Sequence, residues 1–201
     1  MAKDWRRLGY PFAELVPSYA TAIGVSGDTP KALAELAGIL SAGGVRYPEL
    51  AISGLEFGRN TPMETRLAAN GVKGEAILAP EIASRVGREM AGVVEAGTAR
   101  RALNAFVLPS GKVIPVAGKT GTGDNRFKVY GPGGVLTADR VVNRTATFVF
   151  LIGDRYFGTV TAFVPGESSA RYNFTSALAV QILKDLAPHI MPVVESQSKP
   201  L

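Results

Sequence analysis

The chain has 201 residues, of which 46% are hydrophobic and 19% charged, a balance typical of globular proteins rather than of disordered or collagen-like chains. This length suits one domain or slightly more. The net charge of +5 favours anionic substrates but does not by itself indicate nucleic acid. The absence of cysteine excludes disulfides, thiolate metal sites and thiol nucleophiles.

No segment predicts a membrane span or a signal peptide. The longest strongly apolar stretch, Ala146 to Gly153, has eight residues, whereas a span needs about twenty. The N-terminus carries Lys3, Arg6 and Arg7, but no continuous apolar segment follows them. We therefore expect either a cytoplasmic protein or a piece of a larger protein that carries the export signal.

The first half of the chain predicts two helices. Residues 1–28 are expected to be irregular, because prolines and glycines interrupt them. A helix then begins at Pro30, with Thr29 as its N-cap, and ends at Gly43-Gly44. Short extended segments follow, and a second helix runs from Pro80 to Gly97. Its apolar stripe comprises Ile82, Val86, Met90 and Val93.

The second half predicts an antiparallel sheet. Val113 to Gly121 is a candidate strand, whereas Gly123 to Val142 has the polar, glycine-containing composition of a long loop. Thr145 to Ile152 and Tyr156 to Val164 are β-rich runs, which Gly153-Asp154-Arg155 joins as a hairpin.

The chain ends with a helix predicted from about Ala170 to Leu186, and residues 191–201 are expected to be a flexible tail. Helices gathered around a short antiparallel sheet make the fold class α+β. The apolar stripe of this last helix comprises Phe174, Leu178, Ile182 and Leu186.

The segment with the clearest chemistry is Gly118 to Gly123, at the end of a predicted strand. Lys119 offers a fixed cation, and Thr120 and Thr122 offer two hydroxyl donors. Gly121 lets a substrate backbone approach the strand edge. This combination suits binding of a carboxylate and donation of a backbone N–H to a developing oxyanion. The alternative is an ordinary polar strand end on the surface.

Other candidate sites are weaker. A phosphate-binding loop needs a glycine where Val113 stands, so nucleotide binding is a poor fit. The single histidine, His189, is expected on the surface, and one histidine without cysteine does not predict a transition-metal site. A basic cluster around the long loop fits a solvated face better than a site for an anionic polymer. The cluster comprises Arg126, Lys128, Arg140 and Arg144.

Two stretches resemble the penicillin-binding transpeptidases. One is Val93 to Arg101, and the other is Pro115 to Thr122, which contains a Lys-Thr-Gly motif. Pro17 to Ala20, Thr29-Pro30 and Gly43-Gly44 are similar to the preceding segment of the same family. The bifunctional type, in which a glycosyltransferase domain precedes the transpeptidase, matches best, over about residues 8–190.

This family uses three motifs in order: Ser-x-x-Lys, Ser-x-Asn and Lys-Thr-Gly. We interpret this chain as lacking the first two motifs, because neither precedes the third. The resemblance therefore implies that residues 1–201 are the C-terminal part of a transpeptidase domain. They would keep three strands of the family's five-stranded antiparallel sheet, while the nucleophile and the general base lie on a missing N-terminal part.

At matching positions, the resemblance implies roles in binding a D-Ala-D-Ala stem peptide. Lys119 would supply positive charge near its terminal carboxylate, and the Thr120 and Thr122 hydroxyls would donate hydrogen bonds to that carboxylate. The Thr122 backbone N–H would be one oxyanion donor, and Gly121 would keep the strand edge open. In the whole domain a serine attacks the peptide or a β-lactam, and an amine of a neighbouring stem accepts the acyl group. No metal or organic cofactor is implied.

We therefore expect a chain that supplies the substrate-cradling strand of a peptidoglycan D,D-transpeptidase and is inactive alone. Its partners would be the stem peptide, β-lactams and the missing N-terminal part, with no nucleic acid. It would lie on the periplasmic face of the inner membrane within a larger anchored protein. Two alternatives stay open: a non-catalytic binding or scaffold module of the cell envelope, and a nucleotide-binding protein.

Overall fold

The structure, a computed structural model, describes residues 2–9, 19, 29–69 and 71–196. Its helices are α1 (Ala2–Arg7), α2 (Pro30–Ser41), α3 (Pro80–Glu95) and α4 (Ser176–Ser196). Its strands are β1 (Val45–Arg46), β2 (Gly54–Phe57), β3 (Thr65–Ala68), β4 (Glu75–Ala76), β5 (Val116–Tyr130), β6 (Leu136–Ile152) and β7 (Tyr156–Pro165).

The central sheet is antiparallel, with the strand order β5-β6-β7. Val116 of β5 is opposite Ile152 of β6, which in turn is opposite Tyr156 of β7. The tight turn between β6 and β7 contains Gly153 at a φ of 62°, a conformation that glycine adopts without strain. The α+β class, the three-stranded sheet and this hairpin are confirmed.

Each face of the sheet is covered by helices, because successive side chains of a strand point to opposite faces. On one face, α4 contributes Val180 and Leu183 to a core that also contains Phe148 and Phe106. On the other face, α2 and α3 pack on β6 through a smaller cluster of Ala37, Met90 and Leu151. The sheet is therefore the middle of three layers.

The local signals around α2 are confirmed. The Thr29 hydroxyl accepts a hydrogen bond from the Ala32 N–H at 3.2 Å, and Pro30 takes the first helical position. The chain then turns through Gly43 and Gly44, whose φ angles are 64° and 94°. Only glycine adopts both angles without strain.

The prediction of a loop from Gly123 to Val142 is wrong. There β5 and β6 continue as a two-stranded ribbon beyond the sheet, and only the turn at Gly133 and Gly134 has positive φ. Both faces of the ribbon are largely exposed, and the alternation of apolar and polar residues that predicts a strand is limited to a short stretch from Arg126 to Val129. Polar cross-strand pairs stabilise it instead, such as Asn125 Nδ2 donating to Asn143 Oδ1 at 2.9 Å.

The last helix begins later and ends later than predicted. Glu167–Arg171 is a separate 3-10 helix, and α4 then runs through Pro188 and Pro192. The expected tail is helical from 191 to 196, and residues 197–201 lie outside the described residues. The prolines are tolerated because their helix is held by the core: Met191 and Val194 are buried.

The predicted apolar stripes of two helices are only partly correct. In α3, Met90 is buried as predicted and Val93 packs against the main core. Ile82 and Val86 are exposed, and Ala83 and Val94 are buried in their place. In α4, Leu178 and Leu186 are 39% and 42% exposed. The buried α4 residues are Ala179, Val180, Leu183, Ala187, Met191 and Val194.

Residues 1–28 were expected to be irregular, but residues 2–7 form α1. Most of the remainder of that segment lies outside the described residues.

By length and composition, α4 is apolar enough to cross a membrane over Ser176–Glu195. This feature of the helix was not detected from the sequence, because only unbroken apolar runs were counted. Most of the buried side chains of α4, among them Val180 and Leu183, belong to the main core with Phe148.

We expect Gly118→Ala to destabilise the fold because no space exists for a methyl group at this position. A Cβ there would overlap the Phe148 ring and lie 2.5 Å from the Val149 carbonyl oxygen. Overpacking of this kind costs about 1–3 kcal/mol. The control is Gly123→Ala in the same strand, where nothing lies within 4 Å. Denaturant melts should show a lower midpoint for Gly118→Ala only, and equal midpoints would contradict the packing.

We expect the isolated chain to self-associate through β7, which is an edge of the described sheet. This strand has no charged residue and pairs with β6 without a register shift, so it lacks the usual protection of an edge. Phe163→Lys should favour the monomer in size-exclusion chromatography with light scattering. Ile82→Lys, with similar exposure at 53% against 56%, should not. A stable wild-type monomer would contradict the prediction.

Candidate functional site

The Lys-Thr-Gly-Thr segment lies in β5, at the opposite edge of the described sheet from β7. Its inner neighbour is β6, where Phe148 is opposite Thr120 and Ala146 is opposite Thr122. The outer side of β5 has no strand beside it among the described residues. Such an edge offers unpaired backbone groups to an extended ligand.

Strand alternation places Lys119 and the two threonines on opposite faces. Thr120, which is only 9% exposed, lies with Phe148 on the α4 face, and Thr122 shares that face. Lys119 is exposed and lies on the α2 and α3 face, opposite Val149. The structure therefore brings the two threonines together but directs the lysine to the other side of the strand.

Lys119 contacts a backbone oxygen and has no carboxylate partner among the described residues. Its Nζ donates to the carbonyl oxygen of Thr120 at 2.7 Å, and none of the salt bridges between described residues includes it. A lysine with this environment can attract an anion to the strand edge.

The Thr120 hydroxyl has a partner that was absent from the predicted site. Thr98 Oγ1 lies 2.6 Å from Thr120 Oγ1, and either atom can donate. Thr98 comes from the turn after α3, and the next residue, Ala99, is fully buried and donates its N–H to the Val93 carbonyl at 3.1 Å. Thr98 lies within the stretch from Val93 to Arg101 that carries the family resemblance, but no role was assigned to it there.

The Thr122 hydroxyl is held by the start of α4. Its Oγ1 accepts a hydrogen bond from the Ser176 N–H at 2.8 Å. A hydroxyl that accepts in this way still has its own proton to donate. The N-terminal end of a helix also carries partial positive charge, which favours an anion nearby.

Gly121, between the two threonines, has open space beside it. Apart from its two chain neighbours, no atom of the described residues lies within 4 Å of the position that its Cβ would occupy. The glycine therefore leaves this part of the β5 edge unobstructed.

The arginines of the basic cluster have partners within the fold. Arg126 contacts Asp124 at 3.0 Å and Asp139 at 2.8 Å. The hydrogen bond from Arg126 lowers the pKa of Asp124, and the bond to Asp139 raises the pKa of Arg126. Arg140 pairs with Glu167, and Arg144 donates to the Phe174 carbonyl. These contacts favour a solvated face with a structural role over a binding site for an anionic polymer.

His189 is exposed on α4, as predicted. Within the described part of the chain, no group of three histidine or acidic side chains could hold a metal ion.

A cavity lies away from β5, between α2, β1 and the start of β7. Its walls include Phe157 and the ion pair of Glu35 with Arg46, whose charged atoms are 2.6 Å apart.

The spacing Ser-x-x-Lys does occur once, at Ser196 to Lys199, after the Lys-Thr-Gly segment. Ser196 is the last residue of α4, whereas Ser176 at the other end contacts β5. At 1.5 Å per residue, these helix ends are about 30 Å apart. Lys199 lies outside the described residues. Ser196 is therefore remote from the candidate site.

Solved structures with a similar fold are penicillin-binding proteins. The structure of PBPA from Mycobacterium tuberculosis aligns with a TM-score of 0.58 and 16% identity, covering 94% of this chain and 44% of that chain. Penicillin-binding protein 3 from the same organism, complexed with aztreonam, aligns with a TM-score of 0.59 and 17% identity, covering 96% of this chain and 46% of that chain. The ampicillin complex of the same protein aligns with a TM-score of 0.59 and 18% identity, covering 96% of this chain and 45% of that chain.

No family model and no curated protein matches the sequence. The structural neighbours share too little sequence to show more than the fold. The chain has the fold of part of a penicillin-binding protein, and it spans less than half the length of those chains.

Proposed function

We propose that this chain supplies the carboxylate-binding strand of a peptidoglycan D,D-transpeptidase domain and corresponds to the C-terminal part of that domain. The observation that supports the proposal is the position of Lys119 to Thr122 at an open sheet edge in a fold shared with penicillin-binding proteins. Two of those structures are complexes with the β-lactams aztreonam and ampicillin.

The proposed ligand group is the terminal carboxylate of a stem peptide or the carboxylate of a β-lactam. The Thr120 and Thr122 hydroxyls donate to it, and Lys119 adds positive charge from the other side of the strand. A hydrogen bond to a charged group contributes about 1.5–3 kcal/mol. Gly121 keeps the edge open for the ligand backbone.

The proposed reaction is acyl transfer through a serine ester. The carbonyl attacked by the serine develops negative charge on its oxygen, and the Thr122 backbone N–H is proposed as one of two donors to that oxygen. D-Ala leaves, and an amine of a neighbouring stem then takes the acyl group. Such chemistry belongs on the periplasmic face of the inner membrane, within a larger anchored protein.

The nucleophile is proposed to lie on a polypeptide segment N-terminal to this chain. No Ser-x-x-Lys precedes the Lys-Thr-Gly motif, and the one at Ser196 is remote from the site. The same observation favours a second candidate, in which the edge binds an envelope peptide without catalysis. Acylation distinguishes the two.

We expect the purified chain to form no covalent adduct with benzylpenicillin in intact-mass spectrometry. Co-expression with the polypeptide encoded in frame upstream should produce a stoichiometric adduct on that polypeptide's serine. In the combined protein, Lys119→Ala should slow acylation about ten- to a hundredfold, because it removes a charge-assisted contact. The matched control, Lys112→Ala, removes an exposed lysine just before β5 and should leave the rate unchanged.

Each outcome separates the candidates. An adduct on a serine of this chain alone would contradict a separate nucleophile. Equal acylation rates in Lys119→Ala and wild type would contradict the role of the lysine. A combined protein that binds envelope peptides but is never acylated would favour the non-catalytic module.

A further inference from the structure

We propose that Thr98 is a positioning residue for Thr120. Its hydroxyl donates to Thr120 Oγ1 and so directs the Thr120 proton toward the carboxylate of the ligand. This inference rests on the proposed function, and it adds a residue outside the Lys-Thr-Gly-Thr segment to the carboxylate-binding site.

The hydroxyls of Thr98 and Thr120 form a direct pair. Their Oγ1 atoms are 2.6 Å apart in a partly buried hydrogen bond: Thr120 is only 9% exposed, whereas Thr98 lies at the surface. A hydroxyl has one proton and two lone pairs. If Thr120 donated to Thr98, it would have no proton for a ligand. If Thr98 donates, the Thr120 proton stays available.

A bound anion favours one of the two possible directions of the hydrogen bond between Thr98 and Thr120. A carboxylate beside Thr120 can only accept hydrogen bonds, so its presence favours the arrangement in which Thr120 donates outward and accepts from Thr98. Donor chains of this kind polarise one another and strengthen the terminal bond. Thr98 therefore acts through Thr120 without contacting the ligand.

The turn that carries Thr98 is fixed by its neighbours. Ala99 is fully buried, and its N–H donates to the Val93 carbonyl at 3.1 Å. At Gly97, a Cβ would lie 2.8 Å from the same Val93 oxygen, so a larger residue would displace the turn. The Thr98 hydroxyl is thus held against β5 by the end of α3.

The Thr122 hydroxyl also accepts a hydrogen bond, and here the direction of the bond is fixed. The Ser176 backbone N–H can only donate, so at 2.8 Å the Thr122 oxygen must accept. Thr120 and Thr122 lie on the same face of β5. Thr120 therefore accepts from Thr98, in the turn after α3, and Thr122 accepts from the first residue of α4. Each threonine keeps its own proton for a ligand.

The test uses the complete protein that contains this chain and compares benzylpenicillin with its methyl ester, whose carboxylate charge is masked. Thr98→Val retains the side-chain shape but removes the donor. We expect it to slow acylation by benzylpenicillin about two- to tenfold, the loss typical of one neutral hydrogen bond, and to leave acylation by the ester unchanged. Thr98→Ser should restore the wild-type preference for the acid.

The matched control is Thr137→Val, which removes a hydroxyl that bonds the Val129 carbonyl at 3.0 Å in the ribbon and should not change the preference. Thermal melts check that every variant is folded. Equal slowing of both ligands by Thr98→Val would make Thr98 merely structural and overturn the inference, as would an unchanged preference. If wild type is not acylated at all, the proposed function fails and this inference fails with it.

Discussion

The pairing of β5 with β6 is the interaction on which the rest of the structure depends. It places Phe148 opposite Thr120 and buries that ring completely in the main core. The close approach of the two strands leaves no room for a Cβ at Gly118. Because β5 has a partner on one side only among the described residues, the same pairing also leaves the Lys-Thr-Gly-Thr segment at an edge.

The helices on the two faces then complete the site from behind. The turn after α3 brings Thr98 to Thr120, and the first residue of α4, Ser176, brings its N–H to Thr122. Thr122 Oγ1 accepts from the Ser176 N–H, and in the proposed arrangement Thr120 Oγ1 accepts from Thr98, so both threonines keep a proton for an anion. Lys119 adds a charge without an ion-pair partner among the described residues. The edge therefore combines fixed donors with a cation, which suits recognition of a carboxylate.

The two edges of the sheet differ in chemistry. The β5 edge carries polar residues and glycine and continues into a ribbon whose Arg126 is paired with two aspartates. The β7 edge is ten residues long, uncharged and regular. An edge of the second kind favours pairing with another strand.

The sequence by itself determined the features that depend on a few neighbouring residues. These include the Thr29 cap, the turn at Gly43-Gly44, the hairpin at Gly153 and the Lys-Thr-Gly-Thr strand, because caps and positive φ angles act over about four residues. Only the tertiary structure decided which faces are buried. The ribbon after Gly123 has apolar alternation only from Arg126 to Val129, and α4 has apolar residues on more than one side. The surfaces that these elements contact therefore select the strand pairing and the buried stripe. Thr98 lies 22 residues from Thr120, and no local pattern records a contact that exists only because α3 packs against β5.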